Sequence, residues 1–268
     1  MKLIKQIFDR RGFPVLASLF LVLFIAESKR ALRRRKGIRF KRLMINTFVS
    51  LPAFSLLRWL FLPVVVRMAG KNQVWKLGIS YLYPAPQAVK NIVAFLLLDY
   101  SNYIRHILNH KLQLLWRFHL VHHTDVDLDL TTAIRFHFGE MIGSLFYRGA
   151  AIILIGASPH TVLYYEIMFE AATQFHHSNW KLPLGFERNL NKLIVTPRMH
   201  GIHHSELKNE TDSNYSVIFS FWDRLHNTLR LNVAQRNIVI GVPSYSNADE
   251  LTAGYLLKLP FTKIRDWD

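Results

Sequence analysis

Long apolar segments separated by short polar or basic ones occupy the first two thirds of the chain. A helix needs about 20 apolar residues to cross a bilayer, so segment 43–66 is long enough, whereas segment 13–26 is short and is expected to be an uncleaved anchor. Segment 141–169 is interrupted at Gly156-Ala157-Ser158-Pro159, which predicts two short helices joined by a turn. With segment 89–104, this pattern predicts an all-α, multi-pass transmembrane helical bundle.

Basic residues are concentrated in the loop after the first apolar segment. Nine Lys or Arg and no acidic residue fall between Lys29 and Arg42. Such a concentration beside a span marks the cytoplasmic side of a membrane. Counting crossings from this loop places the polar segments after 89–104 and after 141–169 on the same side. We therefore expect an integral protein of the bacterial inner membrane or the endoplasmic reticulum, with a helical cap in the cytoplasm.

The amino-acid composition argues against a nucleic acid partner and against sites that depend on cysteine. A net charge of +16 would also fit a nucleic-acid-binding protein, but half of the residues are hydrophobic and only 19% are charged. We therefore expect no nucleic acid partner. The absence of Cys rules out disulfides, thiolate metal sites and cysteine nucleophiles, so a bound metal would depend on His, Asp, Glu, carbonyl groups or water.

Histidines are grouped into three boxes in the polar segments. Imidazole is the commonest side-chain ligand for transition metals, and residues three and four apart on a helix share a face. A His-x2-His-His window is expected by chance about 0.03 times in such a chain, and two are present. Each box is predicted to form one patch of nitrogen donors. The boxes are His106-x3-His110, His119-x2-His122-His123 and His200-x2-His203-His204.

The order of these boxes resembles the fatty acid hydroxylase/sterol desaturase superfamily of membrane di-iron oxygenases. The resemblance divides the chain into membrane segments 1–88, a catalytic domain 89–230 and a C-terminal cytoplasmic tail 231–268. The matching motifs include Asp99-Tyr100-x5-His106-x3-His110, Trp116-Arg117-Phe118-His119-x2-His122-His123, Arg135-Phe136-His137-x2-Glu140, His176-His177-Ser178-Asn179, Pro197-Arg198-Met199-His200-x2-His203-His204 and Trp222-Asp223-Arg224.

The resemblance implies two iron ions held almost wholly by histidines, with O2 as co-substrate and an external electron donor such as a cytochrome b5-like protein, a ferredoxin or a reductase. It implies hydroxylation, or in some relatives desaturation, of a C–H bond of a membrane lipid. One histidine of the pair at 176–177 joins the box histidines, and we favour the second. The implied ligands are His106, His110, His119, His122, His123, His176 or His177, His200, His203 and His204.

Three further side chains are candidates for orienting the ligand imidazoles, because a metal-bound histidine usually donates its other ring N–H to an oxygen. His137 and Glu140 share a helix face just after the second box, where a structural polar contact is an equal alternative. Asp99 lies near the end of an apolar segment, and we expect it to pair with Arg105 or with a ligand histidine. Asp125, Asp127 and Asp129 could orient the second box, but a solvated loop is the favoured interpretation.

Two other functions fit a histidine-rich membrane protein. A zinc-dependent hydrolase lacks support, since His-Glu-x2-His is absent and nine ligands exceed the needs of one zinc with an open position. A metal-binding or metal-transporting protein would place its ligands near mid-bilayer, whereas these boxes lie in polar segments. Because the boxes bind metal rather than substrate, the lipid stays open at this stage.

Overall fold

The computed structural model consists of helices and connecting turns. It describes residues 1–267, so Asp268, the last residue of the predicted tail, lies outside the described residues. Over residues 1–267 there are three isolated β-bridges but no strand. The predicted all-α class is therefore confirmed.

Long helices occupy the first two thirds of the chain, and short helices occupy the last third. The long elements are α1 (Lys2–Ile4) and α2 (Phe13–Lys29), joined by a π-helix at Lys5–Gly12; α3 (Arg39–Leu56) and α4 (Leu62–Trp75), joined by a π-helix at Leu57–Phe61; α5 (Gln87–Lys111); α6 (Gln113–His123); α7 (Phe138–Ile155); and α8 (Pro159–His177). The short helices are α9 (Leu184–Leu190), α10 (Pro197–His203), α11 (Lys208–Thr211), α12 (Phe221–Leu225) and α13 (Ala253–Lys258). Single 3-10 turns lie at Ile79–Tyr81, Thr132–Ile134, Gln235–Asn237, Pro243–Tyr245 and Leu259–Phe261.

The second apolar segment forms a helical run that continues through two prolines. Pro52 lies inside α3, and Pro63 is in the first turn of α4, just after the π-helix. A proline ring collides with the carbonyl four residues earlier in a regular helix, and a widened turn before the proline relieves this collision. The N–H of Leu62 accordingly donates to the carbonyl of Leu57, five residues back.

The turn predicted inside segment 141–169 lies between α7 and α8. Gly156 ends α7 with a φ of 79°, a left-handed conformation that glycine adopts without a steric penalty. The Ser158 hydroxyl accepts the N–H of Thr161 and caps α8, while Pro159 occupies the first turn, where its missing N–H needs no partner. The helical hairpin is therefore confirmed.

Three helical segments are long and apolar enough to cross a membrane: Lys2–Lys29, Arg39–Tyr81 and Phe138–Ile155. Their outer surfaces carry large apolar side chains, such as Phe13 and Leu21, which are 64% and 60% exposed. Water-soluble monomers rarely expose continuous apolar surface of this kind, whereas lipid solvates it. The fold is a helical membrane bundle.

Two hydrophobic cores hold the helices together. The larger core lies between α4, α5, α7 and α8 and includes Val65, Leu98 and Ile152. The smaller core joins the C-terminal segment to α6, where Leu256 and Val121 are both fully buried. Residues 231–267 of the predicted tail are thus held against the helix that carries the second histidine box.

Candidate metal centre

Four helices bring the histidine boxes into contact. The first box lies in the last turns of α5, the second at the end of α6, the pair at 176–177 at the end of α8, and the third in α10 and the residue that follows it. Their ring nitrogens form two groups, within each of which the ligand atoms all lie within 4.8 Å of one another. The five-histidine cluster contains His106, His110, His119, His123 and His203, and the four-histidine cluster contains His122, His177, His200 and His204.

The second and third boxes are each divided between the two clusters, so the prediction of one donor patch per box is wrong. His119 and His123 join the five-histidine cluster, while His122 joins the other. Helical geometry explains the division, because residues three and four positions along a helix lie on either side of the starting direction, about 100° apart. One box can therefore supply two neighbouring sites.

Hydrogen bonds fix the tautomer of five rings. In each ring Nδ1 faces a carbonyl or carboxylate oxygen, which can only accept, so Nδ1 carries the hydrogen and Nε2 keeps a free lone pair. A ligand histidine in a metal site is oriented in the same way. The contacts are His106 to Tyr215 O (2.7 Å), His119 to Glu140 Oε1 (3.2 Å), His122 to Arg135 O (3.2 Å), His177 to Thr173 O (2.8 Å) and His203 to Ser213 O (2.8 Å).

In the four-histidine cluster the Nε2 atoms face one another. The separations are 2.9 Å between His122 and His177, 3.0 Å between His177 and His200, and 3.1 Å between His200 and His204. The Nδ1 atoms of His122 and His177 both face carbonyl oxygens, so their two Nε2 lone pairs repel unless a cation lies between them. Nitrogens bound at about 2.0–2.1 Å to one metal lie about 3 Å apart when they are at right angles. The observed separations fit a shared metal ion.

The five-histidine cluster contains buried nitrogens that lack partners. An unpaired buried polar atom is costly and is rare in native proteins. Here four such atoms lie together, which fits a metal ion as the common partner. They are the Nε2 atoms of His110, His119, His123 and His203.

Burial also keeps these rings neutral, as metal ligands must be. Desolvation lowers the pKa of His122 to about 4, and it lowers the pKa of His203 to about 3. Both values lie well below the ordinary value of about 6.5 for histidine. Near neutral pH the nitrogens are therefore electron-pair donors with no proton to displace.

Glu140 lies in the first turn of α7 and contacts His119, which places it where the sequence predicts an orienting side chain. Its Oε1 atom accepts from the His119 Nδ1 (3.2 Å), from the Asn109 side chain (3.2 Å) and from Arg105 (3.3 Å). A carboxylate in this position holds the ring and increases its basicity.

Asp99 and His137 lie away from the ligand rings. Asp99 accepts from the Trp222 indole at 2.8 Å and from the backbone N–H groups of Ile218 and Phe219, so the predicted pairing with Arg105 or a ligand histidine is wrong. The His137 Nδ1 accepts the Gly139 N–H and its Nε2 contacts the Leu257 carbonyl at 3.1 Å, so its contacts are structural. Both differences arise because segments distant in sequence pack against these side chains.

His176 and His177 have different surroundings. His177 belongs to the four-histidine cluster, whereas His176 does not. The His176 Nδ1 lies 3.2 Å from the Val217 carbonyl, and its ring packs against His200, with 4.1 Å between the centroids. We therefore propose His177 as the ninth ligand.

The acidic loop after the second box is buried, so the prediction of a solvated loop is wrong. Arg42, at the start of α3, donates to both carboxylate oxygens of Asp125 (2.8 Å each) and to Asp129 (2.7 Å). The three aspartates of the loop are at most 5% exposed. The basic loop and the acidic loop thus neutralise each other within the fold, next to the second box.

Arg135 is a second positioning residue that the sequence did not reveal. Its guanidinium donates to the Val121 carbonyl (2.8 Å) and to the Thr124 hydroxyl (3.0 Å), and its own carbonyl receives the His122 Nδ1 hydrogen. The match of Arg135-Phe136-His137 to a family motif was the only signal that pointed to this position. Arg135 therefore connects the end of α6 to a ligand ring.

A cavity of about 50 Å³ lies against both clusters. His106 and His119 of the five-histidine cluster and His122 of the other line it, and Phe136 and Phe169 form an apolar part of its wall. Small molecules bind in concave sites that combine apolar walls with a few polar groups. A small molecule in this cavity would lie beside rings of both clusters.

Residues 91–228 match the family described as fatty acid hydroxylase. The match covers more than half of the chain and includes all the histidines of both clusters. The chain belongs to the fatty acid hydroxylase family. This confirms the superfamily that the histidine boxes and their neighbouring motifs indicate.

Several members of the fatty acid hydroxylase family are similar to this chain over part of their length. An ornithine lipid hydroxylase, OlsE, from Rhizobium tropici is 26% identical over 69% of the chain and 54% of its own length. An alkylglycerol monooxygenase from Danio rerio is 29% identical over 66% of the chain and 38% of its own length. A cholesterol 25-hydroxylase-like protein from Danio rerio is 27% identical, over 69% of each chain.

The chain therefore spans about half or less of the length of the first two relatives. Their names describe oxygenation of different lipids, so the family membership does not identify one substrate. No solved structure matches the chain.

Proposed function

We propose that this protein is an integral-membrane, non-haem di-iron oxygenase that hydroxylates a C–H bond of a lipid. The reaction is R–H + O2 + 2 e⁻ + 2 H⁺ → R–OH + H2O, with the electrons supplied by an external donor. The observation that carries the proposal is the pair of adjacent histidine clusters, whose buried, neutral nitrogens face inward beside an apolar-walled cavity.

The five-histidine cluster would hold one iron ion and the four-histidine cluster the other. Five donors exceed the four that a tetrahedral zinc ion takes in structural sites, and imidazole ligands suit iron. When bound, the iron ions supply the activation of O2 and the oxidation of an unactivated C–H bond.

The protein's own groups hold and shield this site. Glu140 and the Arg135 carbonyl hold His119 and His122 in the tautomer that leaves Nε2 free. Burial of the rings excludes water from the centre, and the Phe136 and Phe169 side chains offer an apolar surface to a hydrocarbon chain. Orientation and exclusion of competing reactions are the protein's usual share of such catalysis.

Hydroxylation, rather than desaturation, is supported by the names of the relatives, which are hydroxylases and a monooxygenase. A lipid would reach the cavity from the bilayer. We also propose that the cap carrying the centre faces the cytoplasm, on the side of the basic loop between Lys29 and Arg42. A soluble or membrane-attached electron carrier could then approach it from that side.

Two measurements test this function. Metal analysis of the protein purified in detergent should find iron in preference to zinc, at a ratio of about two ions per chain if both clusters are filled. Lipids extracted from cells that express the protein should contain a species heavier by one oxygen atom than its counterpart in cells that lack it. Zinc alone, or an unchanged lipid profile in cells where the protein holds iron and receives electrons, would contradict the proposal.

A further inference from the structure

A second cavity adjoins the one at the histidine clusters. Its volume is about 30 Å³, and it shares four wall residues with the first cavity: Arg105, Phe136, Glu140 and Phe169. Residues of α3 and α7, including Phe54 and Met141, form part of its apolar wall. The two cavities therefore form adjoining compartments between the membrane helices and the clusters.

One stripe of α8 joins the two compartments. Glu170 lines the second cavity, whereas Thr173 and His177 line the first. Residues spaced by three and four share one face of a helix. Because seven residues separate Glu170 from His177, the two positions lie about 10 Å apart along the helix axis.

Both arginines of the second cavity already have carboxylate partners. Arg148 is hydrogen-bonded to Glu166, and Arg105 to Glu140 at 3.3 Å. The carboxylate of Glu170 forms no hydrogen bond or ion pair with any residue between 1 and 267. Glu170 is therefore a carboxyl group without a cationic partner in a cavity within the bundle, where ionisable residues are costly and are usually functional.

Other unpaired side-chain oxygens of the two compartments are also acceptors. Glu140 Oε2 and Asn102 Oδ1 are buried without a hydrogen-bond partner, and both residues line the first cavity. A ligand that supplies hydrogen-bond donors would satisfy them, and a ligand that carries positive charge would also balance Glu170. A purely hydrocarbon ligand would leave these groups desolvated, which is unfavourable.

We infer that the lipid substrate carries an ammonium group that binds Glu170, and that the carbon oxidised at the clusters lies within about 10 Å of that group along the lipid. This inference rests on the proposed lipid hydroxylase function and names the class of its substrate. The substrate is an aminolipid modified near its polar end. A fatty acid has no ammonium group and would leave Glu170 without a cationic partner.

Binding of simple lipid probes tests the inference without turnover. The protein in phosphatidylcholine nanodiscs is mixed with hexadecylamine, hexadecanol or hexadecanoate, and the shift in its unfolding temperature gives the relative affinities. We expect hexadecylamine to bind the unaltered protein about ten- to a hundredfold more tightly than hexadecanol, the factor that a hydrogen bond to a charged group supplies.

Glu170→Gln should remove this preference while keeping the size and polarity of the side chain. Glu170→Lys should shift the preference to hexadecanoate. Asp266→Asn, which removes the same charge from an exposed position, should bind the probes as the unaltered protein does. Equal binding of amine and alcohol by the unaltered protein, or an amine preference that survives in Glu170→Gln, would overturn the inference.

Iron content and lipid oxidation, measured on the same samples, separate this inference from the function itself. A protein that holds iron and hydroxylates lipids without an amine preference would disprove the ammonium site alone. A protein that shows the amine preference through Glu170 but holds no iron would support the site and disprove the di-iron oxygenase.

Discussion

The Nε2 atoms of His122 and His177 lie 2.9 Å apart although the Nδ1 of each ring is committed to a backbone carbonyl. Each Nε2 therefore presents a lone pair to the other. The two helices that carry these rings, α6 and α8, meet at a place that is favourable only when a cation is shared.

Removing one histidine from each cluster should affect a different metal ion. We expect His203→Ala and His122→Ala each to lose at least about half of the bound iron and nearly all lipid oxidation, since the two rings belong to different clusters. Metal analysis of the purified variants checks this. His160→Ala, which changes an exposed ring at the turn between α7 and α8, is the matched control. Full iron in both cluster variants would disprove the assignment.

Glu140 should control metal affinity although it is not a ligand in the proposed centre. Glu140→Ala removes the anchor of His119 and leaves Arg105 without its partner, so we expect iron affinity to fall by about 10- to 100-fold. In Glu140→Gln the amide oxygen can still accept the hydrogen of the His119 ring, so iron affinity should fall less than in Glu140→Ala. Competition with a chelator measures the affinities. Glu206→Gln, whose carboxylate has no ion pair over residues 1–267, should match the unaltered protein.

Arg42 should be a strong determinant of stability. Arg42→Met leaves Asp125 and Asp129 buried without their partner, and breaking a buried pair on one side costs about 3–5 kcal/mol. The exposed pair formed by the neighbouring Lys41 with Asp249 should contribute about 0–1 kcal/mol, so Lys41→Met is the control. Denaturant unfolding in detergent gives both values. Similar losses for the two variants would contradict the role of Arg42.

Metal retention should resist moderate acid. Burial lowers the pKa of His122 to about 4 and that of His203 to about 3, so protons do not compete for these rings until the pH approaches those values. We expect bound iron to stay nearly constant from about pH 8 to pH 6 and to be lost below about pH 4–5. Dialysis across this range followed by metal analysis tests it. Half-release near pH 6.5 would indicate ordinary, exposed histidines.

The metal-free fold should begin to lose stability at a higher pH than the pH at which bound iron is released. In the unfolded chain a histidine binds a proton near pH 6.5, whereas in the fold His122 does so only near pH 4. As the pH falls from about 6.5 to about 4, the unfolded state binds more protons, so the free energy of unfolding decreases. Unfolding of chelator-treated protein at several pH values measures this dependence, and a flat profile would contradict it.

Local sequence patterns were sufficient to predict the all-α class and the hairpin between α7 and α8. The hairpin between α7 and α8 was predictable because Gly156, Ser158 and Pro159 each act through their own backbone conformation or hydrogen bonds. The placement of the three histidine boxes on helices was predictable for the same reason, since the spacing of residues on a helix is a local property. The family followed from the order of the boxes and the residues beside them.

Contacts between distant parts of the chain were not predictable. Asp125 and Arg42 are 83 residues apart, and neither carries a signal that names the other, so the buried aspartates were mistaken for a solvated loop. Asp99 was assigned the wrong partner because the segment containing Trp222 returns to α5 only in the folded protein. That Glu170 has no cationic partner became visible only when Arg105 and Arg148 proved to be paired with other carboxylates.

By itself, then, the sequence determined that this protein is a helical membrane protein with histidine boxes spaced to offer nitrogen donors, because period, composition and spacing are local properties. Only the tertiary structure decided that His122 is separated from His119 and His123, and that His177 completes the smaller cluster. The physical reason is that neighbouring side chains on one helix point in directions about 100° apart. The packing of the other helices then decides which metal site each ring can reach.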